Sequence, residues 1–223
     1  MAKRILNMTA EEMTHATKSE LIEAIAGSEG RVLASETIGI TIPLLTDVTN
    51  AEFAASMGAD LILLNMFDVQ EPKIMALPEV EKEETVREVK RLTGRMVGIN
   101  LEPVEESYAS DNKETLWEMS AGRYATVENA IQAQKMGVDL IVLTGNPGNG
   151  VSNPAIISSL KAISEAVGEK IMLAAGKMHA SGIIGEGGEN IITKEDIRQF
   201  AEAGADIILL PAPGTVPGIT TEY

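Results

Sequence analysis

The chain has 223 residues, 44% hydrophobic and 23% charged, enough for one sizeable core and ordinary for a soluble globular domain. Its 18 basic and 33 acidic residues leave a net charge of −15, which repels phosphate backbones and argues against nucleic acid as a partner. With no cysteine, disulfides, thiolate nucleophiles and thiolate-bound metals are excluded, and no apolar run approaches the roughly 18 residues of a membrane helix.

The first residues carry Lys3 and Arg4 but no apolar stretch of signal-peptide length, so a cytoplasmic address and no membrane partner are expected. Thr17-Lys18-Ser19-Glu20 reads as a capping box, and Leu21, Ile22, Ala24 and Ile25 form the apolar stripe of the helix behind it. Lying ahead of the first strand, this helix is expected to plug one end of the fold. The first strand falls either at residues 31–36 or within 38–45, and both stretches read as strand. Thr49-Asn50-Ala51-Glu52 is a second capping box and opens a helix. Strands are expected at 60–65 and 96–101, with a helix at 83–92 between them.

A long connection, 102–125, follows and carries Tyr108, Trp117 and Tyr124. It far exceeds the usual βα loop of about two to six residues and reads as a lid or as an arm to a second subunit in a homo-oligomer. Beyond it, Thr126 caps a helix, a strand spans 139–144, and a helix begins at Asn153-Pro154 with Pro at the first helical position. A strand at 170–175, a helix capped by Thr193-Lys194-Glu195-Asp196 and a strand at 206–211 complete the series. Thr220 reads as the cap of a further helix.

One joint recurs three times: Met57-Gly58-Ala59-Asp60-Leu61-Ile62, Met136-Gly137-Val138-Asp139-Leu140-Ile141 and Ala203-Gly204-Ala205-Asp206-Ile207-Ile208. The glycine suits the left-handed residue that ends a helix, and an unalternating aliphatic run marks a strand buried on both faces. Helix-to-strand joints of one kind define a parallel α/β fold, specifically a (β/α) TIM-type barrel. Six strands against the barrel's eight predict an incomplete barrel with an N-terminal helix. Residues 1–223 then form one domain cut at the start of helix six.

Barrel chemistry sits at the C-terminal ends of the strands. That rule collects Ser35 and Glu36, Asn65 and Asp68, Asn100 and Glu102, Thr144 and Asn146, and Lys177 and His179. The segment 145–154, with Asn146, Gly148 and Gly150, feeds a helix start where backbone N–H groups favour an anion. It lacks the Lys-Ser/Thr ending of a nucleotide-triphosphate loop. Pro211-Ala212-Pro213-Gly214-Thr215-Val216-Pro217-Gly218 is a second, stiffer loop of this kind and adds Gly214 and Thr215 as ligand-binding candidates. Lys177 is placed to hold an anionic group, His179 or Glu102 to move a proton, and Glu36 with Asp68 to offer oxygen ligands to Mg²⁺. The expected partner is a small anionic metabolite.

Ser28-Glu29-Gly30-Arg31, Asn50-Ala51-Glu52, the stretch 58–69 and Pro211-Ala212-Pro213-Gly214-Thr215-Val216-Pro217-Gly218 resemble a bacterial TIM-barrel family without an established reaction. Its members are labelled phosphoenolpyruvate phosphonomutase-like or haloacid dehalogenase-like hydrolases. The resemblance implies a barrel and, under the first label, lyase or isomerase chemistry. The second label requires an Asp-x-Asp nucleophile motif, and the nearest string, Thr46-Asp47-Val48-Thr49-Asn50, lacks the second Asp. The first label's usual Lys-Cys-Gly loop and Asp pair are also missing. Two functions are carried forward: an enzyme on a small phosphorylated or carboxylated metabolite, and a non-catalytic sensor of such a metabolite on the same barrel.

Overall fold

Six strands, all parallel and lying side by side in sequence order, make the centre of the molecule. The computed structural model describes residues 3–105, 119–145, 150–176, 192–214 and 220–222. The strands are β1 (Ala34–Ile38), β2 (Leu61–Asn65), β3 (Met96–Leu101), β4 (Leu140–Leu143), β5 (Met172–Gly176) and β6 (Ile207–Leu209). Helices α1 (Ala10–His15) and α2 (Lys18–Gly27) precede them. Helices α3 (Asn50–Ser56), α4 (Thr85–Thr93), α5 (Val127–Met136), α6 (Asn153–Val167) and α7 (Lys194–Glu202) fall one in each gap between strands. This is an α/β barrel, incomplete in that β1 and β6 have no outer neighbour among the described residues.

The expected caps form. Thr17, Thr49 and Thr193 each accept the N–H three residues on, and Glu20, Glu52 and Asp196 return the bond to the capping residue's own N–H. Thr9 and Glu12 make a further box that opens α1. Pro154 is the second residue of α6, one place later than expected, because Ser152 is the cap. Strand β1 straddles the two readings of that region. Past Ile38 the Thr41 N–H turns back to the Ile38 carbonyl, and Ile42 stands 84% exposed. An aliphatic run with no neighbouring strand to pair with stays a loop.

Alternation along the strands divides the core in two. Ile62, Leu64, Val97, Ile99, Ile141, Leu143 and Leu173 pack outward against the helices. Leu61, Leu63, Met96, Leu140, Val142, Met172 and Ala174 face the barrel interior, where Leu21 and Ala24 of α2 and Met13 of α1 join them. The plug expected from sequence is therefore in place, and it fills the lower interior with side chains as small barrels require.

The repeated Gly-x-Asp joint has a physical purpose in both of its fixed residues. Gly58, Gly137 and Gly204 take φ of 101°, 86° and 107°, where a Cβ is strained. Each aspartate then clamps the start of its strand to the neighbouring chain. Asp60 Oδ2 accepts the Leu33 N–H at 2.9 Å, Asp139 Oδ2 the Val97 N–H at 2.9 Å and Asp206 Oδ2 the Leu173 N–H at 2.8 Å. In return their own N–H groups donate to the carbonyls of the same three residues. Two clamps also carry a lysine: Lys90 Nζ lies 2.7 Å from Asp139 and Lys18 Nζ, on the plug helix, 2.7 Å from Asp206.

Along the outer side of β1 runs a groove of about 470 Å³ walled by Leu33, Thr37, Leu44, Phe53 and Met57, with Glu36 at its edge.

Candidate functional site at the strand ends

Register places the candidate residues on one face. Asn100 pairs with Val142 and Glu36 with Leu63, both partners being interior residues, and Asn65 follows Leu63 by two. Glu102 and Thr144 continue the same alternation beyond β3 and β4. β2, β3 and β4 therefore begin with apolar side chains over the plug and lead to a polar one at the opposite, C-terminal end, where β1 adds Glu36.

Three of the residues touch. Asn100 Nδ2 donates to Glu36 Oε1 at 3.1 Å and to Asn65 Oδ1 at 3.3 Å. Asn65 Oδ1 also accepts the Met66 N–H at 2.7 Å, which sets its amide orientation. Met66 itself has φ 56°, left-handed for a residue with a Cβ, and such strain concentrates at binding sites. Asn100 is only 8% exposed and its Oδ1 has no hydrogen-bond partner.

A second group lies beside the first. Glu102 Oε1 pairs with the Arg123 guanidinium at 2.5 Å, with both side chains largely buried. Its other oxygen, Oε2, stands 3.4 Å from where a Cβ on Gly145 would be, so it reaches across to the end of β4 next to buried Thr144. Arg123 comes from a single 3-10 turn, Ala121–Arg123, which the long connection sends back to bridge Glu102 with Tyr124. Sequence reasoning missed Arg123. The available signal was a rare cation close to a strand end in an acidic chain.

Asp68 belongs to this second group and not with Glu36. Its Oδ1 accepts the Gln70 and Glu71 N–H groups at 2.7 and 3.0 Å. Burial works to raise its pKa, but the Ser120 hydroxyl, those two amides and the Arg123 charge outweigh it and hold the carboxyl below its ordinary range. The carboxylate locks against Gly122, where a Cβ would come within 1.8 Å of Oδ1. Glu36 and Asp68 thus serve separate corners, and among the described residues no three His, Asp or Glu side chains gather as a cation site.

The glycine segment is tied down at its far end. The Gly150 carbonyl accepts the Glu105 N–H at 3.0 Å, Gly150 has φ 78°, and Ser152 Oγ both caps α6 and donates to Glu105 Oε1. The N-terminus of α6 therefore already has a carboxylate beside it. Gly214 lies in an exposed turn after β6. Asn146, Gly148, Lys177, His179 and Thr215 lie outside the described residues, as do Tyr108 and Trp117. Asp47, the residue nearest to a dehalogenase nucleophile, sits in a turn ahead of α3 between Leu45 and Val48, not at the end of a strand.

With one end of the sheet filled by the N-terminal helices and polar side chains gathered at the other, the chain has the architecture of an α/β barrel. Residues 6–223 match the family described as Domain of unknown function (DUF7916), and the chain belongs to it. Among solved structures it is similar to 2,3-dimethylmalate lyase, a PEP mutase/isocitrate lyase superfamily member, at 13% identity and TM-score 0.51, over 92% of this chain and 62% of that one. It is also similar to a protein described as a fructose-1,6-biphosphate aldolase from Coccidioides immitis, at 16% identity and TM-score 0.50, over 91% of this chain and 65% of that one. The chain thus spans less than two thirds of the length of these neighbours. The likeness is one of fold, and the phosphonomutase-like resemblance holds at that level; the dehalogenase label has no support. No protein of curated function matches the chain in sequence. No helix among the described residues is long and apolar enough to cross a membrane.

Proposed function

We propose that the chain is an enzyme of the lyase or isomerase type that acts on a small carboxylated or phosphorylated metabolite at the C-terminal mouth of the barrel. The observation that carries this reading is the one-faced polar set Glu36, Asn65, Asn100, Glu102 and Thr144, opposite the end filled by α2. The barrel neighbours whose names denote a lyase and an aldolase support the reaction class by analogy of fold alone.

In this reading Asn65, Asn100 and Thr144 orient the substrate. Glu102, held by Arg123, moves a proton at its Oε2. Positive charge for the anionic group comes from Lys177, assigned on sequence grounds, as are Asn146, Gly148, Gly150, Gly214 and Thr215 as further ligand-binding residues and His179 as a second proton carrier. Arg123 is already engaged by Glu102 and lies near Asp68, so it leaves little charge over for an anion. No step here passes through a metal.

Thermal-shift screening against small hydroxy acids, keto acids and sugar phosphates, with and without Mg²⁺, followed by a turnover assay on each hit, tests the proposal. Stabilisation with turnover that Glu102→Gln abolishes supports it. Stabilisation without turnover assigns the barrel to sensing, and no response from any compound rejects the metabolite reading.

A further inference from the structure

The corner formed by Glu36, Asn65 and Asn100 has a hydrogen-bond inventory that selects its ligand. Asn100 spends both amide protons, one on Glu36 Oε1 and one on Asn65 Oδ1. Its carbonyl oxygen Oδ1 is buried and unpartnered in a side chain more than nine-tenths buried. Glu36 Oε2 and both protons of Asn65 Nδ2 have no protein partner among the described residues. The groups left free are therefore a buried acceptor on Asn100, a donor on half-buried Asn65 and an acceptor on exposed Glu36, on three adjacent strands.

A carboxylate or phosphate brings only acceptors, and would set negative charge against Glu36 and a lone pair against Asn100 Oδ1. An ammonium brings only donors and leaves Asn65 unanswered. A hydroxyl is both, and vicinal hydroxyls answer all three groups at once. Leaving a buried amide oxygen unmatched is costly, so a site of this kind discriminates strongly against an analogue that lacks the donor.

We propose that this corner is a hydroxyl-recognition subsite and that the metabolite carries a polyhydroxylated carbon at the β1–β3 side of the mouth. The anionic end then lies towards β4–β6. The inference rests on the mouth being the binding site and adds the substrate class to it.

The test is a titration of the ¹⁵N-labelled chain with erythritol, 1,4-butanediol and inorganic phosphate, read at the side-chain amides of Asn65 and Asn100 and the backbone amides of Gly145 and Gly150. Erythritol is expected to shift both side-chain amides saturably, with 1,4-butanediol about tenfold or more weaker. Asn100→Leu removes the response. Glu36→Gln, a change on a partly exposed strand that keeps the oxygen bonded to Asn100, weakens it as well and serves if the leucine variant does not fold. Equal responses to the two alcohols, a side-chain response to phosphate alone, or erythritol binding unchanged in both variants overturns the proposal. Phosphate shifts at Gly145 and Gly150 without any erythritol response would reject the hydroxyl corner and leave the mouth reading standing. Shifts confined to the α2 end would reject both.

Discussion

The three aspartate clamps allow a graded prediction from one sequence motif. Asp139 is the most buried: with Lys90 it forms a pair in which each side chain is about 10% exposed, and it also satisfies the Val97 N–H in β3. Asp139→Ala strands that N–H and leaves an ammonium without its carboxylate, and loss of one partner of a buried pair costs about 3–5 kcal/mol. Asp206, paired with Lys18 at 19% and 16% exposure, loses less to the same change. Among the described residues Asp60 has no lysine partner, and Leu33 is 56% exposed, so water replaces the lost bond and Asp60→Ala costs about 0.5–1.5 kcal/mol. Urea unfolding of the three variants reads the order directly. For a domain of this size the Asp139 change corresponds to roughly 6–20 °C in Tm. Three equal losses, or a largest loss at Asp60, would refute the assignment of the clamps' strength to burial and charge pairing.

Lys90→Met should destabilise more as pH rises. Burial pushes the Asp139 carboxyl up, against the opposing Lys90 charge, so removing the lysine raises it further, and stability is lost as pH climbs from the ordinary carboxylate value of 3.8 through the raised one; urea midpoints against pH measure this. Asp68 has the opposite sign. Its lowered folded pKa contributes stability that is present above 3.8 and lost as pH falls through the folded value, so Asp68→Asn should flatten the acid limb of the stability profile. Gly122→Ala places a methyl within 1.8 Å of Asp68 Oδ1 and 2.8 Å of the Gln70 nitrogen, and should cost about 1–3 kcal/mol in the same unfolding assay by pushing the Asp68 loop away from the Arg123 turn. Thr144→Val keeps the shape of a buried side chain at the mouth and should leave Tm within about 1 °C while weakening metabolite stabilisation, as thermal shift would record.

Barrel architecture was legible because parallel strands covered on both faces are written as plain aliphatic runs, and the recurring Gly-x-Asp joint marks where each begins. The caps at Thr17, Thr49, Thr126 and Thr193 were legible for a similar local reason, since a cap and its partner lie three residues apart. The role of the aspartates was not. Asp60, Asp139 and Asp206 bond to residues 27, 42 and 33 positions away across the sheet, and no local pattern records that separation. Strand-end polarity suggested Glu36 with Asp68 as oxygen ligands and Glu102 as a proton carrier, yet Glu36 bonds to Asn100 beside Asn65, while Asp68 and Glu102 share the charge of Arg123. Glu36 and Glu102 share a face and differ only in their partners, and a turn that returns from a long connection, as Arg123 does, has no signature in spacing.

The molecule has a clamped, plugged end and a mouth proposed to bind the metabolite, and one comparison tests that division most directly. Metabolite-induced Tm shifts should be measured for Asn100→Leu and Thr144→Val at the mouth and for Asp60→Ala and Asp206→Ala at the clamps. The mouth variants are expected to keep a Tm close to that of the parent and lose the ligand shift, while the clamp variants lose Tm and keep it. Ligand shifts that survive in the mouth variants and vanish in the clamp variants would place binding at the plugged end and contradict the account.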